Sequence, residues 1–512
     1  MGIKRVPCIT TAVALVCSLL FFGFLWDTSS RLSTGPKYAP PSTELPYGLA
    51  TIATSWTSWF SPGAWTGQNI AAKNGGKIDS TWNILYHLGG VGPWIQKIDD
   101  VITNDVGPPD GCTVQQVHML SRHGERYPTV SAGARILDLV GRLNSSTLLH
   151  KGSFGFLSDW SFFIEDPETQ FEQLTSTGPY SGTLETFSTG VKFRTRYPHL
   201  IPKNRSRKFK LWASQSDRVI ATAKYFATGM FGLPLEDYAT VEVIPETLER
   251  GANTLTPSDG CGRYRQDEEF GHNYAESKLA EFQKFYLIPI RERLLNELGA
   301  HVDLSTENIY SMHELCGFET TARGRSPWCD VFTESEWQSF EYARDMYHSY
   351  RSGPDNKYSP VLGIPWLNAT SKLLEAGPAT GSFFFSFSHD SDIIPTYAML
   401  GLFNDDQPLP TDRILEDRRW RTSQVVPMGG RLVIESLVCQ SGPQTEKKQY
   451  VRLNVNDGMV AMPGCTGGPG KSCPLNEFLE LIRSKLSKAG DFKKTCGLPD
   501  DAPDHISFLQ QD

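Results

Sequence analysis

A chain of 512 residues with 39% hydrophobic and 11% aromatic side chains can bury a large core, and its length favours two or more lobes. Its net charge of −8 and pI near 5.8 argue against nucleic acid as a partner, although a cleft can still gather enough local positive charge to bind anions. No low-complexity tract and no repeat of solenoid or propeller period is present.

Lys4 and Arg5 precede an uncharged run from Val6 to Trp26, long enough to cross a bilayer as a helix. The run ends in Phe24, Leu25 and Trp26 rather than in the small residues of a cleavage site. Residues 1–30 therefore suit a single uncleaved signal-anchor, with a cleaved signal peptide as the alternative. The flanking cations keep the N-terminus cytoplasmic, so the rest of the chain enters the secretory lumen. It is expected to be extracellular, at the cell surface or membrane-anchored. Residues 31–78, rich in Ser, Thr, Pro and Gly, form a linker or peripheral segment. Trp56, Trp59 and Trp65 within it suggest that part of it packs on the body.

Regular structure is expected from Thr113, where TVQQVHML alternates apolar and polar residues as a half-buried strand does. SRHGERYP follows, then a helix over Val130–Leu143. The same grammar recurs at Phe209–Ala213, followed by SQSDR and a helix to Met230. It recurs again at Ser382–Ser386, an apolar run of the kind a doubly covered sheet produces, followed by FSHDSD and a helix over Ile393–Leu402. Three strand–loop–helix units indicate an α/β fold whose loops gather at the carboxyl ends of the strands. Between the second and third units helical periodicity dominates, as in Tyr274–Leu298, interrupted by Pro289, and Glu334–Tyr350. The division is then an α/β catalytic core over residues 79–234 and 376–512 with a mainly helical cap over 235–375. Leu432–Cys439 and Tyr450–Asn454 read as strands, with a turn at Asn456-Asp457-Gly458 before Met459–Met462, and a last helix spans Leu475–Ala489.

Of ten cysteines, Cys8 and Cys17 lie inside the apolar run. The other eight are an even lumenal set that suggests four disulfides, and pattern alone leaves their pairing open. No CxxC pair occurs, so zinc is disfavoured. Sequons at Asn144, Asn204 and Asn368 fit glycosylation in the same compartment.

Three polar clusters follow the three strands. Arg122-His123-Gly124-Glu125-Arg126 sets an imidazole between two permanent cations, which suits a phosphate ester and penalises protonation of His123, keeping it nucleophilic. Gly124 is expected to let the backbone approach a ligand. In Ser214-Gln215-Ser216-Asp217-Arg218, Arg218 is a third candidate donor, with Ser216 or Asp217 capping the next helix. In His389-Asp390, Asp390 suits a general acid for a departing alkoxide, a role compatible with a plain helix N-cap, and His389 suits a phosphoryl ligand.

MLSRHGERYPT (Met119–Thr129) together with SFSHDSD (Ser386–Asp392) resembles the histidine acid phosphatase family, in its branch of fungal acid phosphatases and phytases. YHLGGVGPW (Tyr86–Trp94) and ASQSDRVIATA (Ala213–Ala223) are similar to fungal members, and the likeness spans residues 80–500. The resemblance implies a phosphoglycerate-mutase-like core with a helical cap. It also implies a two-step hydrolysis of small-molecule phosphate esters through a phosphohistidine, without metal or other cofactor. His123 would be the nucleophile, Arg122, Arg126, Arg218 and His389 would hold phosphate, and Asp390 would protonate the leaving group. It further implies the pairings Cys112–Cys439, Cys261–Cys496, Cys316–Cys329 and Cys465–Cys473. Phytases of the family often carry several lysines just after the nucleophile motif, whereas Val130–Arg135 here holds one arginine and no lysine. That departure favours a broad acid phosphatase over phytase. A phosphotransferase on a similar core and a catalytically inactive cell-surface binding module compete with these; the second would lack the histidine or the acid, and both are present. Nothing in the sequence indicates an oligomeric state.

Overall fold

A computed structural model describes residues 82–145, 152–201, 208–298, 303–440 and 446–511. The expected anchor at 1–30, the segment 31–78, Cys8, Cys17 and the sequon at Asn204 lie outside the described residues. Among the described residues no helix is long and apolar enough to cross a membrane. Asn144 is exposed, and Asn368 is half-buried.

Four strands lie parallel in the order β3-β2-β4-β1: β1 (Cys112–Arg122), β2 (Phe209–Ser214), β3 (Ala239–Ile244) and β4 (Phe383–Ser388). Antiparallel strands β5 (Arg431–Cys439), β6 (Lys448–Val455) and β7 (Gly458–Val460) extend the sheet beyond β1, and β8 (Cys473–Pro474) pairs with β6. Asn456 and Asp457 both take positive φ, as a two-residue hairpin between β6 and β7 requires.

Side chains alternate across each strand, so a sheet covered on both faces needs apolar residues at every position. β4 is buried throughout. Its Phe383, Phe385 and Phe387 pack with Phe193 of α2 (Gly182–Arg196) and Phe226 and Met230 of α3 (Asp217–Phe231). Phe384 faces the other way, into a cluster with Trp212 and with Ile393 and Tyr397 of α8 (Asp390–Leu400). α1 (Val130–Ser145) contributes Ile136 and Leu139 to that second cluster. α9 (Leu475–Ala489) adds Phe478 and Ile482.

The longer helices of the helical stretch are α4 (Tyr274–Leu298), α5 (Thr306–Arg323), α6 (Glu334–Ser352) and α7 (Ile364–Ala376). Capping boxes at Ser305/Asn308 and Thr333/Glu336 satisfy the first amides of α5 and α6. These helices share the second apolar cluster with the sheet.

Four expectations change. β3 falls inside 235–375, the stretch expected to be a helical cap, yet pairs with β2 from Phe209↔Ala239 to Ser214↔Ile244. It is an edge strand, buried only at its two ends, so ATVEVI carries little apolar signal. α4 continues through Pro289 instead of being interrupted there, α8 starts at Asp390 rather than Ile393, and short 3-10 turns at Ile84–His87 and Gly89–Val91 precede β1.

The eight cysteines outside the apolar run form Cys112–Cys439, Cys261–Cys496, Cys316–Cys329 and Cys465–Cys473. Four disulfides belong to a protein that folds in an oxidising compartment, the secretory pathway or the extracellular space.

Candidate active site

Parallel strands spaced about 4.8 Å apart bring their carboxyl ends to one edge, and so bring the loops that follow them together. The strand ends and the segments after them deliver Arg122, His123 and Arg126 at the end of β1, Arg218 after β2, and His389 and Asp390 after β4 to the wall of one cavity of about 760 Å³. All six residues nominated from the sequence therefore share one site.

The loop that carries His123 is clamped from several sides. His123 N–H donates to Ser388 O at 3.1 Å, and its carbonyl accepts from Gly429 N at 2.7 Å. Gly124 N donates to Thr222 Oγ1 of α3 at 2.9 Å. A side chain at Gly124 would meet Thr186 Oγ1 at 2.6 Å and Gly182 O at 3.1 Å. The glycine thus serves close packing against α2, not the ligand approach expected of it.

His123 Nδ1 lies 2.9 Å from Gly124 O. A carbonyl only accepts, so Nδ1 carries the hydrogen and Nε2 keeps its lone pair. Burial, then Arg122, Arg218, Arg126 and His389, hold the imidazole well below its ordinary pKa, so it is neutral in acid.

Arg122 is set by backbone: Nη1 donates to Gly90 O at 2.9 Å and Val426 O at 2.8 Å. Burial, with Arg218 and Arg122 alongside, pushes Arg126 down to about 9, still charged in acid. The Nε–H groups of Arg122, Arg126 and Arg218 are buried and find no acceptor among the described residues. Desolvated donors without acceptors are costly, so a wall of this kind favours a bound anion. Arg218 lies in the first turn of α3, whose N-cap Ser216 makes no side-chain capping bond, contrary to the expectation for Ser216 or Asp217.

The N-cap of α8 is His389, not Asp390. Asp390 Oδ1 accepts from Ser391 N at 2.8 Å, and Oδ2 pairs with Arg122 Nη2 at 2.7 Å. Burial alone would raise its pKa, but Arg122, His348, Arg351 and His123 prevail and hold the carboxyl well below its ordinary range.

Other residues in this wall were not read from the sequence. Glu246, two positions past β3, pairs with His389 Nε2 at 2.8 Å. α6 lines the cavity with Arg344, Tyr347, His348 and Arg351, one helical face at i, i+3, i+4 and i+7. Arg344 donates to Tyr310 OH and His348 Nε2, both at 3.1 Å, and Arg351 to His272 Nε2 at 2.7 Å. That spacing was the available signal, but it also describes a solvated helix face. Arg135, the single cation just after the nucleophile motif, is neutralised by Glu314 at 2.8 Å.

A neutral imidazole, a cluster of guanidiniums and an apposed carboxyl on one cavity wall suit chemistry on a phosphate ester. The model of the histidine phosphatase superfamily (branch 2) matches residues 113–456, and the chain belongs to that family. It is similar to the acid phosphatase PHO1 of Komagataella pastoris, 34% identical over 85% of this chain and 92% of that one. It is likewise similar to the phytase PHO112 of Candida albicans, 32% identical over 86% and 92% of the two chains. The crystal structure of the phytase from D. castellii superposes with a TM-score of 0.75 at 28% identity, over 87% of this chain and 93% of that one. The chain is accordingly a phosphoric monoester hydrolase of the kind that works through a phosphohistidine.

Proposed function

We propose that this enzyme is an acid phosphomonoesterase in which His123 is the nucleophile and Asp390 the general acid. The observation that carries this reading is the Nδ1–H of His123 fixed on Gly124, leaving Nε2 free in a wall shared with Arg122, Arg126 and Arg218. These guanidiniums and His389 hold the phosphoryl oxygens and stabilise the charge that develops on them. Nε2 attacks phosphorus, the ester P–O bond breaks, and Asp390 gives its proton to the departing oxygen. The carboxylate then takes a proton from water as that water attacks the phosphohistidine, which frees inorganic phosphate and restores neutral His123.

Asp390 is ionised in the free site because of Arg122 and its neighbours. A phosphate dianion among those cations offsets them and pushes the carboxyl up. Ester binding and loading of the acid are thereby one event. Asp390→Asn is expected to slow an alkyl phosphate by about 10²–10⁴-fold and a nitrophenyl phosphate by less than about 10-fold. Equal losses for the two esters would refute the general-acid role.

Phytate hydrolysis is a second reading, favoured by the cationic face of α6. Arg344 and Arg351 are hydrogen-bonded to phenol and imidazole groups and enter no ion pair among the described residues. They are placed to meet further phosphates. With Arg135 neutralised and no lysine in the wall, the broader monoesterase comes first. The apolar run from Val6 to Trp26 supports anchorage of the catalytic body at a membrane, and the sequons at Asn144, Asn204 and Asn368 support glycosylation.

A further inference from the structure

We propose that Glu246 is a positioning residue for His389: it fixes which ring nitrogen faces the phosphoryl group and offsets the charge that binding puts on the ring. The inference rests on the reading of His389 as a phosphate ligand.

Glu246 Oε1 is 2.8 Å from His389 Nε2, and His389 is its only ion-pair partner among the described residues. A carboxylate only accepts, so Nε2 carries a hydrogen. The other nitrogen, Nδ1, lies 3.4 Å from Arg218 Nη2. A guanidinium only donates, so in the free site Nδ1 presents its lone pair. A deprotonated phosphoryl oxygen held by Arg218 also only accepts, and it would meet that lone pair unfavourably. His389 can hold such an oxygen only with a hydrogen on Nδ1 as well as on Nε2, and a ring carrying both is a cation.

Arg122, Arg126, Arg218 and His123 line the same wall and oppose a further positive charge. Glu246 supplies the compensating negative charge on the far side of the ring. Burial works to raise its own pKa, but the hydrogen bond and charge of His389 prevail and keep the carboxyl below its ordinary value. The shift keeps its negative charge available to the ring. The arrangement matches a carboxylate that orients a metal-bound histidine from behind, with a phosphoryl oxygen in the place of the metal.

The test is a double-mutant cycle on the full chain with E246Q, H389A and the double variant. Each is assayed for kcat/KM on p-nitrophenyl phosphate and for inhibition by inorganic phosphate. E246Q is expected to lower kcat/KM by about 10- to 100-fold and to weaken phosphate inhibition, while adding less than about 2-fold in the H389A background. An equal E246Q loss in both backgrounds overturns the proposal. A fully active H389A overturns the reading beneath it, a distinct pattern. E246A assayed with added formate gives an independent answer: recovery that saturates with formate supports the positioning role, and no recovery at any concentration counts against it.

Discussion

Arg122 and Arg344 line one cavity, the first from the sheet edge and the second from the helical wall, and they are held in different ways. Arg122 ends a buried strand, is gripped by two backbone carbonyls and pairs with Asp390. Arg344 rides on α6 and, among the described residues, its guanidinium is held by other side chains, Tyr310, His348 and the Tyr347 ring. Backbone anchoring fixes position to the precision that bond-making requires. Side-chain anchoring leaves a long guanidinium room to follow the shape of a bound anion. On the proposed reading, the sheet edge carries the chemistry and the helical wall chooses which ester is admitted.

Substitution on each side tests that contrast. Arg126→Ala should cost about 10²–10³-fold in kcat/KM for a nitrophenyl phosphate and for phytate alike, if it holds the phosphoryl group as proposed. Arg344→Ala or Arg351→Ala should cost about 10-fold for phytate and less than about 3-fold for the aryl ester. A helical-wall variant that slows both substrates equally would erase the division.

The smallest expected effect lies in the support of the sheet edge. Asp392 is buried in the first turn of α8, and its Oδ1 accepts from Ser258 N at 3.1 Å and Oγ at 2.6 Å. Burial, aided by Asp259, raises its pKa to about 7. The folded protein thus binds this proton more tightly than the unfolded chain. The stability that results is complete below pH 3.8, erodes as pH rises and is gone above about pH 7. Asp392→Asn should match the parent in Tm at pH 4 and exceed it by about 2 °C or more at pH 7. A gap that stays constant with pH would contradict this.

The sheet edge was legible from residues alone because each of three strands ends in a cluster with an unusual chemical inventory. The clusters at His123, Arg218 and His389-Asp390 needed only parallel pairing to converge. Glu246 was invisible because β3 is a half-buried edge strand, and a lone glutamate after it reads as solvated. The face of α6 was invisible for another reason: its spacing is shared by every amphipathic helix, and only tertiary packing says which face meets the cavity. Gly124 illustrates a motif residue identified for the wrong cause, since α2 rather than a ligand excludes a side chain there.

The covalent step is the centre of the account, and rapid quenching of turnover followed by mass spectrometry of the peptide bearing His123 tests it most directly. A phosphoryl adduct on His123 that survives alkali, decays in acid and is absent from His123→Ala is the predicted result. No adduct, or one carried by another residue, would contradict it.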